Sequence, residues 1–470
     1  MEVKASLTFL GAAQNVTGSR YLLRYNSNRI LVDCGLYQER ELRARNWDPF
    51  PAPPEGLDAI LLTHAHLDHC GFLPKLVKDG FSGSVYCTPA TAELAKIVML
   101  DAGHLQEEDA AFKLKRHARE GRTGKYPVIP LYTQEDVQAA LPLFRTIEYE
   151  KPLEIADGIQ VSFHDAGHIL GSAMIKLRMG RNGDARTILF SGDIGRWDRP
   201  ILNDPTIFAE ADYVLMESTY GDRLHEDALN QENRLAELIN ATRKAGGNVL
   251  IPSFAIERSQ EILYHLNKLL IENRIPHLLV FIDSPMAINV TEVFERHPEL
   301  FDAEMMNLIR SHQSPFQLAG LRTTRTVDES KAINHIRGTV IIIAGSGMCT
   351  GGRIKHHLVN NIARQQSSII FVGYQAVGTL GRQIVDRAKR VRILGQMHRV
   401  KARVEQLSGF SAHADRDELF RWVSGLKKAP RRAFVTHGEP QAARQFSDYL
   451  REKTAWCVHV PQYRETATLE

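Results

Sequence analysis

The 470-residue chain carries a net charge of +3, with 43% hydrophobic and 24% charged residues. This is the make-up of an ordinary soluble globular protein, long enough for two or three domains and too weakly charged overall to announce a polyanion partner. Cys34, Cys70, Cys87, Cys349 and Cys457 form no Cys-x-x-Cys pair, and no apolar run approaches a membrane span or signal peptide, so a reducing, cytoplasmic setting without membrane contact is expected. Residues 6–10, 21–25 and 29–32 read as strands separated by turns. Asp33 ends the third, where a turn cap is the plain reading.

The apolar run 59–62 reads as a buried strand. It delivers Thr63-His64-Ala65-His66-Leu67-Asp68-His69. On extended backbone His64 and His66 point to the same side. If a helix starts at Asp68, that carboxylate and His69 face a second point, so one loop can serve two metals. A polar loop that merely contains histidines is the plain alternative, and the spacing directly after a strand disfavours it. Cys70 diverges from His69 on a starting helix and is expected to pack. Residues 72–78 read as helical and 84–87 as extended. Thr88-Pro89 opens a long helix over 89–120, with a cap and a proline at the first turn. His104 and His117 on it lack partners at ligand spacing and are expected at the surface.

Strands follow at 158–163 and 173–177, with His168 in the glycine-flanked loop between them, where close approach to a metal is easy. Strand 187–190 ends in Ser191-Gly192-Asp193, and the two oxygens of one aspartate can bridge two metals. Strand 213–216 ends in Glu217-Ser218-Thr219. From there helices at about 230–245, 256–272 and 286–296 alternate with buried strands at 248–251, 278–282, 339–344 and 368–372. This rhythm predicts a parallel sheet covered on both faces. Glycine-rich turns at 345–353 and 373–381 each precede a helix and can hold a phosphate, or are tight turns only. Residues 382–403 hold eight Lys or Arg against the single acid Asp386, a solvated surface or a polyanion track. Strand 404–407 leads into Ser408-Gly409-Phe410-Ser411-Ala412-His413, a helix follows, and strand 433–435 ends in Thr436-His437. Helix 440–452 and strand 456–460 complete the reading.

The pattern His64-x-His66-x-Asp68-His69 resembles the metal motif of the metallo-β-lactamase superfamily. With it, segments 167–172, 191–193, 216–219, 410–415 and 435–439 resemble, in order, the motifs of its β-CASP nucleases. The similarity runs through nearly the whole chain and is greatest to prokaryotic relatives of the endonuclease subunit that cleaves pre-messenger RNA before polyadenylation. It implies an α/β fold: a four-layer αββα metallo-β-lactamase core over residues 1–218 and 396–470, with an α/β β-CASP domain inserted at 219–395. It implies two Zn2+ ions per chain, one on His64, His66, His168 and Asp193, the other on Asp68, His69, Asp193 and His437. Asp68, Glu217 and His413 are the implied catalytic residues, with Glu217 orienting His413 to protonate the leaving oxygen. Ser411 would hold a phosphate oxygen, and Asp33 would support the metal loop from behind.

The implied reaction is zinc-dependent hydrolysis of RNA by a hydroxide bridging both metals, leaving 5′-phosphate and 3′-hydroxyl ends. RNA is favoured because relatives acting on DNA typically carry valine where His437 stands. The chain shows neither the KH domains of archaeal relatives nor the C-terminal domain of the bacterial 5′ exonucleases, so endonuclease action is expected. A binuclear zinc hydrolase of small esters or thioesters would have no use for the long insertion. A catalytically silent RNA-processing subunit would lack ligands that this chain keeps. A homodimer is compatible with the sequence.

Overall fold

The computed structural model describes residues 5–121, 127–181, 185–225, 228–373, 375–376 and 378–470. The chain forms two compact units, one from Met1–Trp197, Asp204–Leu224 and His413–Glu470, the other from Asp198–Asn203 and His225–Ala412.

The first unit is a sandwich of two seven-stranded sheets. In one, Thr466–Leu469, Ala5–Phe9, Tyr21–Tyr25 and Asn28–Val32 are antiparallel neighbours, and Ala59–Leu61, Ser84–Cys87 and Phe144–Thr146 extend it in parallel. In the other, Val458–His459, Arg432–Val435, Tyr213–Met216 and Arg186–Phe190 are parallel, and Ala173–Met179, Ile159–Asp165 and Leu153–Ala156 follow antiparallel. Alternation along each strand turns one apolar row inward, as for Leu7 and Phe9 in Ala5–Phe9. The two inner faces share one core, in which the rings of Phe9 and Phe434 lie 5.1 Å apart and those of Tyr21 and Phe190 6.4 Å apart. The outer face of the second sheet packs Leu189, Val214, Met216 and Val435 against Trp422 of helix Arg416–Val423 and Phe446 and Leu450 of helix Pro440–Thr454. Helix Pro89–Glu120 runs past the edge strand Phe144–Thr146 of the first sheet. Its start is set by Thr88, whose Oγ1 accepts from Thr91 N at 3.2 Å, and its end by Gly121 in the left-handed conformation.

This topology places the site. Arg186–Phe190, Tyr213–Met216 and Arg432–Val435 are adjacent and parallel, so their C-terminal ends open on the same edge. The segments that follow them carry Asp193, Glu217 and His437.

The second unit is an all-parallel six-stranded sheet in the order Leu321–Thr323, Leu279–Ile282, Val340–Ala344, Val249–Pro252, Ser368–Phe371, Arg403–Gln406. Its central strands are buried along their whole length, as continuous apolar runs such as Val340–Ala344 require. Because Arg403–Gln406 pairs with Ser368–Phe371, this unit reaches to Ala412, beyond the 395 read from the sequence. A separate hairpin joins Arg390–Ile393 to Gln396–Arg399. In the first glycine-rich turn, Thr350 N and Gly351 N donate to Ser346 Oγ and Ile354 N to Gly345 O. These amides are satisfied within the turn, which argues for a tight turn over a phosphate cradle. In the second, Tyr374 and Val377 lie outside the described residues. All five cysteines are free, Cys70 being buried with Sγ 3.5 Å from Ala65 O. His104 is exposed and His117 half-buried. Among the described residues no helix is long and apolar enough to cross a membrane.

Candidate metal centre

Strand Ala59–Leu61 ends beneath a loop pinned from behind. Cys34 N donates to His69 O, Leu36 N to Leu67 O and Ser19 N to Asp68 O, at 2.7–2.9 Å. A side chain at Gly35 would place its Cβ 1.6 Å from Asp68 O, so only glycine lets the two segments approach this closely. His66 precedes the four-residue helix Leu67–Cys70. His64 and His66 therefore leave extended backbone, whereas Asp68 and His69 leave the helical turn.

Seven ligand-type side chains converge here. His64, His66, His168 and Asp193 offer ligand atoms within 4.8 Å of one another, and so do Asp68, His69 and His437. Asp193 links the two sets. Its Oδ2 lies 3.4 Å from His64 Nε2 and 3.5 Å from His168 Nε2. Its Oδ1 lies 3.3 Å from His69 Nε2 and 3.5 Å from His437 Nδ1. Gly192, at φ 55°, turns the chain so that Asp193 points inward, and a Cβ there would lie 2.8 Å from Thr63 Cβ.

The donor set fits a pair of divalent cations. Asp193 Oδ1 is buried and, among the described residues, makes no hydrogen bond, a costly condition unless an ion satisfies it. Ring nitrogens face one another at 3.0 Å (His64 Nε2 and His66 Nδ1) and 3.1 Å (His69 Nε2 and His437 Nε2). Burial holds His64 neutral, with its pKa down at about 3, and His66 at about 4; it pushes His168 well below the ordinary value too. These three imidazoles keep free lone pairs at neutral pH. Burial works against ionising Asp193, but the charges of His437, His69 and His64 outweigh it and keep the carboxylate charged. Histidine and carboxylate ligands without cysteine match the chemistry of hydrolytic zinc sites.

The surrounding residues orient these rings. Asp33, at φ 58°, accepts from Thr63 N at 2.8 Å and from His69 Nδ1 at 2.8 Å. It thus caps the turn and also aims His69 Nε2 into the centre. Thr63 Oγ1 contacts His64 Nδ1 at 3.0 Å, and Thr219 Oγ1 contacts His437 Nδ1 at 3.1 Å. Neither threonine was legible as functional from the sequence. A hydroxyl one residue before the first ligand, or two after Glu217, was the only signal.

A second group adjoins the first. Glu217 is buried and accepts from Ile194 N at 2.7 Å and from His413 Nδ1 at 3.2 Å through the same oxygen. Burial lowers the His413 pKa, but Glu217, then Asp193 and Asp68, overcome it and raise it to about 9. His413 is held by Ala414 N donating to Ile194 O at 2.8 Å. Its ring lies 4.5 Å from that of His168. His66, Asp68 and His413 keep some solvent exposure while the other ligand-type residues are buried, so the centre opens to solvent past these three. Ser411 follows the short 3₁₀ turn Ser408–Phe410 at the end of the other unit.

The sequence matches three domain families in succession: the metallo-beta-lactamase superfamily domain over residues 22–211, the Beta-Casp domain over 259–384, and the Zn-dependent metallo-hydrolase RNA specificity domain over 397–461. It is 40% identical over 431 residues to Ribonuclease TTHA0252 of Thermus thermophilus, with 92% of each chain covered. The chain belongs to the β-CASP family of the metallo-β-lactamase superfamily. This β-CASP protein is also 32% identical over 448 residues to transcription termination factor FttA of Methanosarcina mazei, across 93% of the chain and 67% of that factor. A protein of unknown function from Enterococcus faecalis shares its fold, with a TM-score of 0.57 at 14% identity, covering 99% of this chain and 100% of the other.

Proposed function

We propose that this β-CASP protein is a two-zinc ribonuclease that cuts RNA with water and leaves 5′-phosphate and 3′-hydroxyl ends. The reading is carried by Asp193, one buried carboxylate whose two oxygens face two separate ligand sets. His64, His66 and His168 with Asp193 would hold one zinc, and Asp68, His69 and His437 with the same aspartate the other. Such a pair, when bound, activates water at neutral pH and offsets the charge of the attacked phosphate.

The protein's own groups supply the rest. Glu217 holds His413 by Nδ1 and keeps the ring cationic, leaving the proton on Nε2 for the departing 3′ oxygen. Asp33, Thr63 and Thr219 fix the rings of His69, His64 and His437. Ser411 is assigned to a phosphate oxygen of the substrate. Water as nucleophile leaves the ribose 2′-hydroxyl with no part in the bond-breaking step.

RNA as substrate is supported by the ribonuclease and termination-factor relatives and by the matched RNA specificity domain. It is also supported by the hairpin of the second unit. There Arg390 stands opposite Arg399, with Arg392 two pairs on; all three are exposed, and none has an ion-pair partner among the described residues. Like charges placed opposite each other destabilise a hairpin, and a phosphate backbone relieves them. The test combines metal analysis with cleavage of end-labelled RNA and a matched DNA after zinc-replete purification. Two zinc equivalents and cleavage of the RNA are expected. At most one equivalent, or two without cleavage of the RNA, would contradict the assignment.

A further inference from the structure

Helix Pro89–Glu120 is buried on one face through Ala102 and Gly103 and again at Ala110, beyond which it leaves the core. Over residues 111–116 every side chain is exposed. A helical end of this length without a packed face gains little stability from its own hydrogen bonds. Yet one stripe of it is ordered. At about 100° per residue, Leu105, Glu108, Asp109, Lys115, Arg116 and Arg119 all fall within about 60° of Phe112. All seven are exposed, Leu105 at 53% and Phe112 at 66%.

The stripe is self-complementary. Phe112 is its centre, with two acids a turn before it and two bases a turn after. Glu108 and Lys115 lie along one edge, Asp109 and Arg116 along the other. When two such helices pack antiparallel about a twofold axis, residues on the same edge meet. Centring that axis at Phe112 sets Glu108 of one copy against Lys115 of the other, and Asp109 against Arg116, with each pair formed twice. Phe112 meets its own copy, and Leu105 lies under the aliphatic stem of Arg119. Within the chain Glu108 is 3.5 Å from His104 on the exposed surface. Asp109, Lys115 and Arg116 have no ion-pair partner among the described residues.

We infer that this stripe is an interface between two copies of the chain, paired antiparallel through residues 105–119 about Phe112. The charge order selects that occupant. A nucleic acid would be repelled by Glu108 and Asp109, and a basic partner by Lys115 and Arg116, whereas a second copy satisfies all four. The interface lies outside the metal centre and does not depend on the ribonuclease reading.

The test uses the full chain, with mass measured by light scattering and sedimentation as concentration is raised. Wild type is expected to move from 53.0 kDa towards twice that mass. Glu108→Lys with Asp109→Lys, and separately Lys115→Glu with Arg116→Glu, should each remain monomeric, because each puts like charges across the axis. Mixed in equal amounts, these two variants should form a heterodimer, and the chain carrying all four changes should regain the homodimer. Phe112→Ser should weaken association at least tenfold. All these positions are exposed, so unchanged circular dichroism and melting temperature check the fold. A wild type that stays monomeric to about 100 µM, a dimer indifferent to the charge reversals, or two variants that fail to pair would overturn the proposal.

Discussion

Replacing Glu217 with glutamine keeps the shape of the side chain and the acceptor for Ile194 N while removing the charge that faces His413. The effect can be worked from the His413 pKa of about 9, which the Glu217 charge sustains against burial. Without that charge burial is the largest single influence left, opposed by Asp193 and Asp68, and the imidazole is expected to fall back towards its ordinary value of about 6.5. A full return is a loss of about 2.5 pH units, or roughly 3 kcal/mol of preference for the protonated ring. In the proposed role His413 acts in its protonated form, so activity should fall as pH rises through its pKa in the folded protein. Wild type should keep this protonated arm to about pH 9, whereas Glu217→Gln should lose it from about pH 6.5 upward. At pH 7.5 about one ring in ten would remain protonated, which predicts about a tenfold slower cut with near-recovery on acidification. Single-turnover cleavage of end-labelled RNA between pH 5.5 and 9.5, with metal content measured on the same samples, reads this directly. A variant that retains both metals and the wild-type profile would refute the Glu217–His413 pairing as the proton source.

Three further outcomes follow from the same geometry. Asp193→Ala removes the carboxylate that faces both sets and should bring zinc below one equivalent by elemental analysis, whereas loss from one set alone would show that the aspartate is not shared. Changing Arg390, Arg392 and Arg399 together to glutamine should reduce the slope of log affinity against log salt by about 2, at roughly 0.7 per phosphate contact on a single strand; an unchanged slope in RNA-binding titrations would remove the hairpin from the RNA path. One 2′-deoxy residue at a mapped cleavage site should leave the rate within about threefold of the all-RNA substrate, because any preference for RNA would arise from contacts along many nucleotides; abolished cutting at unchanged affinity would refute this.

Much of the arrangement was legible because buried strands announce themselves as short apolar runs. Residues 59–62, 187–190 and 213–216 were read that way and form strands Ala59–Leu61, Arg186–Phe190 and Tyr213–Met216. The start of the long helix was legible from Thr88 and Pro89, and the helical region read over 89–120 forms Pro89–Glu120. Two edge strands and a hairpin were not legible. Thr466–Leu469 is short with only Ala467 and Leu469 turned inward, Leu321–Thr323 is short and largely exposed, and the hairpin Arg390–Ile393 with Gln396–Arg399 reads as a basic surface, because only Val391 and Ile393 turn inward. At the site, seven ligand-type residues could be picked out by their place after strands. The hydroxyls of Thr63 and Thr219 could not, since threonine beside a strand is commonplace and only three-dimensional proximity to His64 and His437 gives it a role. Their counterpart Asp33 was left between two readings, and its carboxylate makes both sets of contacts.

The central claim is that the Asp193-centred site cuts RNA with water as the attacking group. Cleavage of RNA by the zinc-loaded chain in isotopically labelled water, followed by mass analysis of both fragments, tests it most directly. The account predicts one heavy oxygen in the 5′-phosphate of the downstream fragment and an unlabelled 3′-hydroxyl on the upstream one. A 2′,3′-cyclic phosphate on the upstream fragment, or a downstream 5′-hydroxyl, would contradict it.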